Sequence, residues 1–99
     1  MSGISTVGDP IAPHGCWSGG VISSGSPDVL INGKPAARVG DSGTPHSWIC
    51  PKSKPPHEVI LSSGSSTILI NGKPAARIGD STSCGSVIIA GSANVIAGG

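Results

Sequence analysis

Apolar positions along this chain fall in short β-branched clusters, not in helical stripes. Val21-Ile22, Val29-Leu30-Ile31 and Ile68-Leu69-Ile70 are bounded by Gly, Ser, Asn or Pro, the pattern of short strands broken by turns. Nothing repeats with helical period between helix caps, so no helix is expected. Asn32-Gly33 and Asn71-Gly72 predict two-residue hairpin loops, because a type I′ turn needs positive φ at both central positions. Ser24 to Ser26 and Ser63 to Ser65 read Ser-Gly-Ser and predict further turns, their glycines taking positive φ. Pro35 and Pro74 lack an N–H and confine the returning strands to edges or irregular extended segments.

These elements recur. Residues 21–41 read VISSGSPDVLINGKPAARVGD and residues 59–80 read VILSSGSSTILINGKPAARIGD. They register from Ser23 onward at an offset of 39, and NGKPAAR is identical in both. Residues 87–99, VIIAGSANVIAGG, match the front half of the unit and stop. The missing half lies at the other end of the chain: Val7-Gly8-Asp9 matches Val39-Gly40-Asp41 and Ile78-Gly79-Asp80. Gly3 to Thr6 therefore stands where Pro35 to Arg38 and Pro74 to Arg77 stand. The expected fold is all-β: one small conical domain over residues 1–99, built of three β-meander or hairpin repeats around a pseudo-threefold axis. The repeats run over about residues 7–38, 39–77 and 78–99, the last closed by residues 1–6.

Composition narrows the function. At 99 residues there is room for one domain. Charged residues are 11% and the net charge is +1, which excludes the clustered basic footprint of a nucleic-acid binder. Two Trp, with no Tyr or Phe, offer no stacking platform for single strands. No apolar run approaches the roughly twenty residues of a membrane span, and no signal peptide is expected at the N-terminus. Gly and Pro together make up a quarter of the chain, so the core is small and wants a staple. Three Cys and three His make a metal the first suspect.

The candidate ligands follow the repeat. His14 lies five residues after Asp9, His46 five after Asp41, and Cys84 four after Asp80. Each Gly-Asp loop thus presents one ligand at nearly the same place, and His57 is the natural fourth. Threefold placement would bring them together near the axis, where three imidazoles and one thiolate make a closed tetrahedral zinc site, structural in kind. An alternative set uses Cys16 or Cys50 in place of one His. Those two cysteines, with Trp17 and Trp48 nearby, either pair in an oxidising compartment or stand as buried thiols. Arg38 and Arg77, each three residues before an Asp, are expected to brace loops by bonding that Asp or nearby carbonyls. Lys34 and Lys73 read as solvated turn residues, since the strand-to-helix context of a phosphate loop is missing. No catalytic set is evident. A rival reading, a small zinc hydrolase with Glu58 as general base, requires an open coordination position.

The two Pro-Ala-Ala-Arg motifs, Pro35-Ala36-Ala37-Arg38 and Pro74-Ala75-Ala76-Arg77, with their Gly-Asp and Pro-His elements, resemble the PAAR-repeat family. The resemblance covers nearly the whole chain and departs from the motif at Gly3 to Thr6. It implies a non-enzymatic conical β-domain that caps the trimeric VgrG spike of a type VI secretion system, one copy per trimer. It also implies structural zinc at the point on three His and one Cys, in agreement with His14, His46, His57 and Cys84. The point would pierce the target membrane without spanning it, and an effector or adaptor would travel with the tip. The protein would be made in the cytoplasm of a Gram-negative bacterium and secreted by that system. No C-terminal toxin domain is expected in the chain. A related reading places the same tip on a phage-tail-like injection device. The surface matching the trimer would come from Val29, Leu30, Ile31, Ile68, Leu69, Ile70, Val95 and Ile96, whose strand edges can continue the partner's β-structure.

Overall fold

Short apolar clusters punctuated by Gly and Pro make short strands. A computed structural model describes residues 2–13, 18–46 and 57–98, with the backbone alone at residues 2, 45, 46, 57 and 58. Among the described residues there is no helix. The strands are β1 (Ser2–Gly3), β2 (Pro10–Ile11), β3 (Gly20–Val21), β4 (Leu30–Ile31), β5 (Lys34–Pro35), β6 (Ser42–His46), β7 (His57–Ile60), β8 (Leu69–Ile70), β9 (Lys73–Pro74) and β10 (Ile96–Ala97). They pair antiparallel as β1–β10, β2–β3, β4–β5, β6–β7 and β8–β9. The all-β expectation holds.

Both Asn-Gly hairpins form as expected. Asn32 and Gly33 take φ of 53° and 80°, and Asn71 and Gly72 take 54° and 78°. Leu30 then faces Pro35 and Leu69 faces Pro74, and each returning strand ends at its proline. The Ser-Gly-Ser turns differ from expectation. Gly25 and Gly64 do not take positive φ. They are needed for close approach: a Cβ on Gly25 would sit 2.8 Å from the Ala36 carbonyl oxygen, and one on Gly64 would sit 2.6 Å from that of Ala75.

Beyond the hairpins the chain closes on itself by bonds that recur at matching positions. Ser5 N–H donates to Ala76 at 2.9 Å, Ala76 to Ala37 at 3.0 Å, and Ala37 back to Ser5 at 2.9 Å. Val7 donates to Pro35, Val39 to Pro74 and Ile78 to Gly3 in the same sense. Gly3 to Thr6 thus makes the same main-chain bonds as the two Pro-Ala-Ala-Arg segments.

A second circuit lies above this ring. β2 pairs β3, Ile22 bridges Gly43 in β6, β6 pairs β7, Leu61 bridges Thr82, Ser81 bridges Val87, and Ile88 bridges Ile11 in β2. Strand edges are therefore paired all the way round. Its interior holds Ile11, Ile22, Val59, Leu61 and Ile88 over Ala37 and Ala76. A separate cluster joins Ile4, Ala36, Ala75, Ile31, Ile70 and Ala97. The alanines of the repeated motif have no exposure. Three chain segments meet there, with Ile4 of the third packed against Ala36 and Ala75.

Candidate functional site

The Gly-Asp loops are held by their own carboxylates. Gly8, Gly40 and Gly79 take φ of 97°, 95° and 90°, turning the chain so that each Asp reaches back three residues. Asp41 Oδ2 accepts the Arg38 backbone N–H at 2.8 Å and Nε at 2.9 Å, while Oδ1 accepts Nη2 at 2.9 Å. Asp80 and Arg77 repeat this fork at 2.7, 3.0 and 3.0 Å. The remaining guanidinium nitrogens tie distant segments: Arg38 Nη1 donates to Asn71 Oδ1 at 3.2 Å, and Arg77 Nη1 donates to the Gly98 carbonyl at 3.0 Å. Burial pushes the Asp41 carboxyl up, but the Arg38 guanidinium, the Arg38 N–H and the Ser24 hydroxyl hold it below the usual carboxylate range. Hydrogen bonding to Asp41 and Asp80 raises Arg38 and Arg77 in turn. These pairs are spent on bracing, as expected for Arg38 and Arg77.

The backbone of three candidate ligand positions comes to one rim of the upper circuit. β6 ends at His46 and β7 begins at His57, and Cys84 lies in the 82–86 turn. His46 and His57 are partners in register across β6 and β7, beyond a β-bulge. The 82–86 turn reaches the same rim. Ser83 N–H donates to the Ile60 carbonyl at 2.7 Å, and Ser83 Oγ accepts Ile60 N–H at 3.2 Å. Ala12 N–H donates to the Val87 carbonyl at 2.9 Å.

Cys84 is a free, half-buried thiol packed against the upper cluster. Burial pushes it up, but hydrogen bonds with the Thr82 hydroxyl, at 3.2 Å, and with Ser86 outweigh that and bring it below its ordinary value. Such a thiol converts readily to the thiolate a metal takes. No three His, Cys, Asp or Glu side chains converge among the described residues. His14, Cys16, Trp17, Trp48 and Cys50, and the side chains of His46, His57 and Glu58, lie outside them. So do the question of the Cys16–Cys50 pair and the alternative ligand sets.

At the opposite end, β4, β8 and β10 each expose their first residue and bury their second. Leu30, Leu69 and Ile96 are 60%, 61% and 51% exposed, and Val29, Ile68 and Val95 beside them also face solvent. Ile31 and Ile70 instead lie in the lower cluster, so they form the floor beneath this surface.

Sequence reasoning passed over the polar stitches between these elements. Asn71 Nδ2 donates to Asp28 Oδ1 at 2.8 Å, Asn32 Nδ2 donates to Asn94 Oδ1 at 3.2 Å, and Ser65 Oγ donates to the Gly98 carbonyl at 2.6 Å. Their signal was present: Asn in place of Asp serves the turn and keeps donors for a neighbour.

The family model of the PAAR motif matches residues 14–90. The chain belongs to the PAAR-motif family. The matched span runs from His14 through both Pro-Ala-Ala-Arg segments, His46, His57 and Cys84. Comparison with curated proteins gives no match. The family is structural, not enzymatic, and membership implies a role associated with the spike tip of type VI secretion and a secreted component.

Proposed function

We propose that the protein caps the trimeric VgrG spike as its sharpened tip, one copy per trimer, and leads effector or adaptor cargo through the target membrane. The observation that carries this is the threefold recurrence of one main-chain bond among Ser5, Ala37 and Ala76. A lone chain meets three identical partner chains on equal terms only by offering three similar surfaces. Pseudo-threefold repeats over about residues 7–38, 39–77 and 78–99 with 1–6 supply them, and Leu30, Leu69 and Ile96 sit at equivalent places in each. The molecule measures 41 × 24 × 21 Å, one long axis and two nearly equal short ones, which suits a tapered tip coaxial with a trimer.

The other end is the point, and zinc is its staple in this reading. His14, His46, His57 and Cys84 would hold it, an imidazole and thiolate set that fits Zn²⁺ with no position left for substrate. The free, lowered thiol of Cys84 supports that assignment, as does the gathering of β6, β7 and the 82–86 turn at one rim. Bound zinc would crosslink loops too narrow to enclose a core.

The test is stoichiometry. Purified chain mixed with a trimeric VgrG spike should give a complex of one chain per three spike chains by light scattering and native mass spectrometry. A saturated complex with three chains per trimer, or no complex, would overturn the reading.

A further inference from the structure

Thr6 stands where the other Gly-Asp loops carry Arg38 and Arg77, and the shorter side chain leaves a space. The backbone half of the motif is unchanged: Thr6 N–H donates to Asp9 Oδ2 at 2.8 Å, as Arg38 and Arg77 do to their own aspartates. The Thr6 hydroxyl reaches that same oxygen at 3.3 Å. Asp41 Oδ1 accepts from Arg38 and Ser24, and Asp80 Oδ1 from Arg77 and Ser63. At the third loop the serine's counterpart is Ala90, and Asp9 Oδ1 has no donor among the described residues. Beside it opens a cavity of about 190 Å³, lined by Thr6, Asp9, Asn32, Lys34 and Gly91 among others.

The lining repeats the surroundings of a bound guanidinium. Arg38 Nη2 donates to the Gly25 carbonyl at 3.3 Å and Nη1 to Asn71 Oδ1 at 3.2 Å. Gly91 and Asn32 are the counterparts of Gly25 and Asn71. Asn32 donates its Nδ2 to Asn94 and Ser92, so its Oδ1 is left to accept. By correspondence with the partners of Arg38, a guanidinium in this cavity would meet Asp9 Oδ1, Asn32 Oδ1 and the Gly91 carbonyl, and all three residues line it. Lys34 lines the same cavity, yet no ion pair joins it to Asp9 among the described residues. An ammonium lacks the planar fork with which Arg38 and Arg77 engage the equivalent acceptors.

We propose that this cavity binds a guanidinium group from outside the chain, the arginine side chain of a docked protein or a small free guanidinium compound. The site stands whether or not the chain caps a spike. Its test is amide NMR on the full chain, titrated with agmatine, with a blocked arginine tripeptide, and with butylamine as the ammonium control. Saturable shifts centred on Thr6, Asn32 and Gly91 are expected with agmatine or the tripeptide, and none with butylamine. Tighter binding of the tripeptide assigns the site to a docked arginine; tighter binding of agmatine assigns it to a free compound. Thr6→Arg supplies the missing group in cis and should weaken both titrations at least tenfold while raising the melting midpoint by several degrees. Asp9→Asn should weaken them as much, and Thr6→Arg keeps the test decisive should Asp9→Asn fail to fold. Absence of saturable shifts with both guanidinium probes, an equal response to butylamine, or undiminished binding in Thr6→Arg would overturn the proposal.

Discussion

An arginine buried against an aspartate is strained by its own desolvation unless the partner is held in place. Arg38 meets that condition, since Asp41 receives both its side chain and its backbone N–H, and Asn71 and Gly25 take the remaining nitrogens. Arg38→Ala leaves the Asp41 carboxylate buried without its counter-charge and should cost about 3 kcal/mol at neutral pH. Acidification checks the cause. The Asp41 carboxyl is held below its ordinary value of 3.8 in the folded protein, so its stabilising contribution is complete above that value and is lost as pH falls through the lower, native one. The gap between wild type and Arg38→Ala in urea midpoint should therefore narrow as pH falls from about 5 to about 3. A gap constant across that range would show that Arg38 acts by packing alone.

Hairpins of two-residue strands stabilise little by themselves; what they do is place one aliphatic side chain inward and one outward. Leu30, Leu69 and Ile96 look out and Ile31, Ile70 and Ala97 look in. The triple substitution Leu30→Lys, Leu69→Lys, Ile96→Lys should change the urea midpoint little, because exposed positions contribute within about 0.5 kcal/mol each, yet abolish association with the spike trimer in a pull-down. Unimpaired association would move the docking surface elsewhere. These hairpins were legible in Asn-Gly alone, because the demand for positive φ at Asn32 and Gly33 is local to the turn. The inward parity was not legible: alternation assigns Leu30 and Ile31 to opposite faces without saying which face meets Ile4 and Ala75. Nor was the reason for Gly25, since a carbonyl arriving from Ala36 is a fact of tertiary closure. Repetition supplied part of what local pattern withheld, for matching Val7-Gly8-Asp9 to the other two loops made Ser5 the equivalent of Ala37 and Ala76, and the structure bonds the three to one another.

For the whole molecule the balance of forces differs between the two ends. The lower end has a core of six residues and the upper circuit one of seven, with Cys84 of the 82–86 turn packed against the latter. The ligand spacing across the Gly-Asp loops proposes a metal crosslink at the rim of that circuit, and zinc content and melting test it. If zinc joins those loops, the purified chain should carry one zinc ion by elemental analysis. Removing it with a strong chelator should lower the melting midpoint by about 15 °C, the shift that a loss of about 3 kcal/mol produces in a domain of this size. Cys84→Ser should start from a lowered midpoint and respond to chelator far less than the wild type, because one of the four donors is already gone. Equal melting of wild type with and without chelator, with no zinc bound at isolation, would leave the rim held by its main-chain bonds at Ile60, Ser83, Ala12 and Val87 alone.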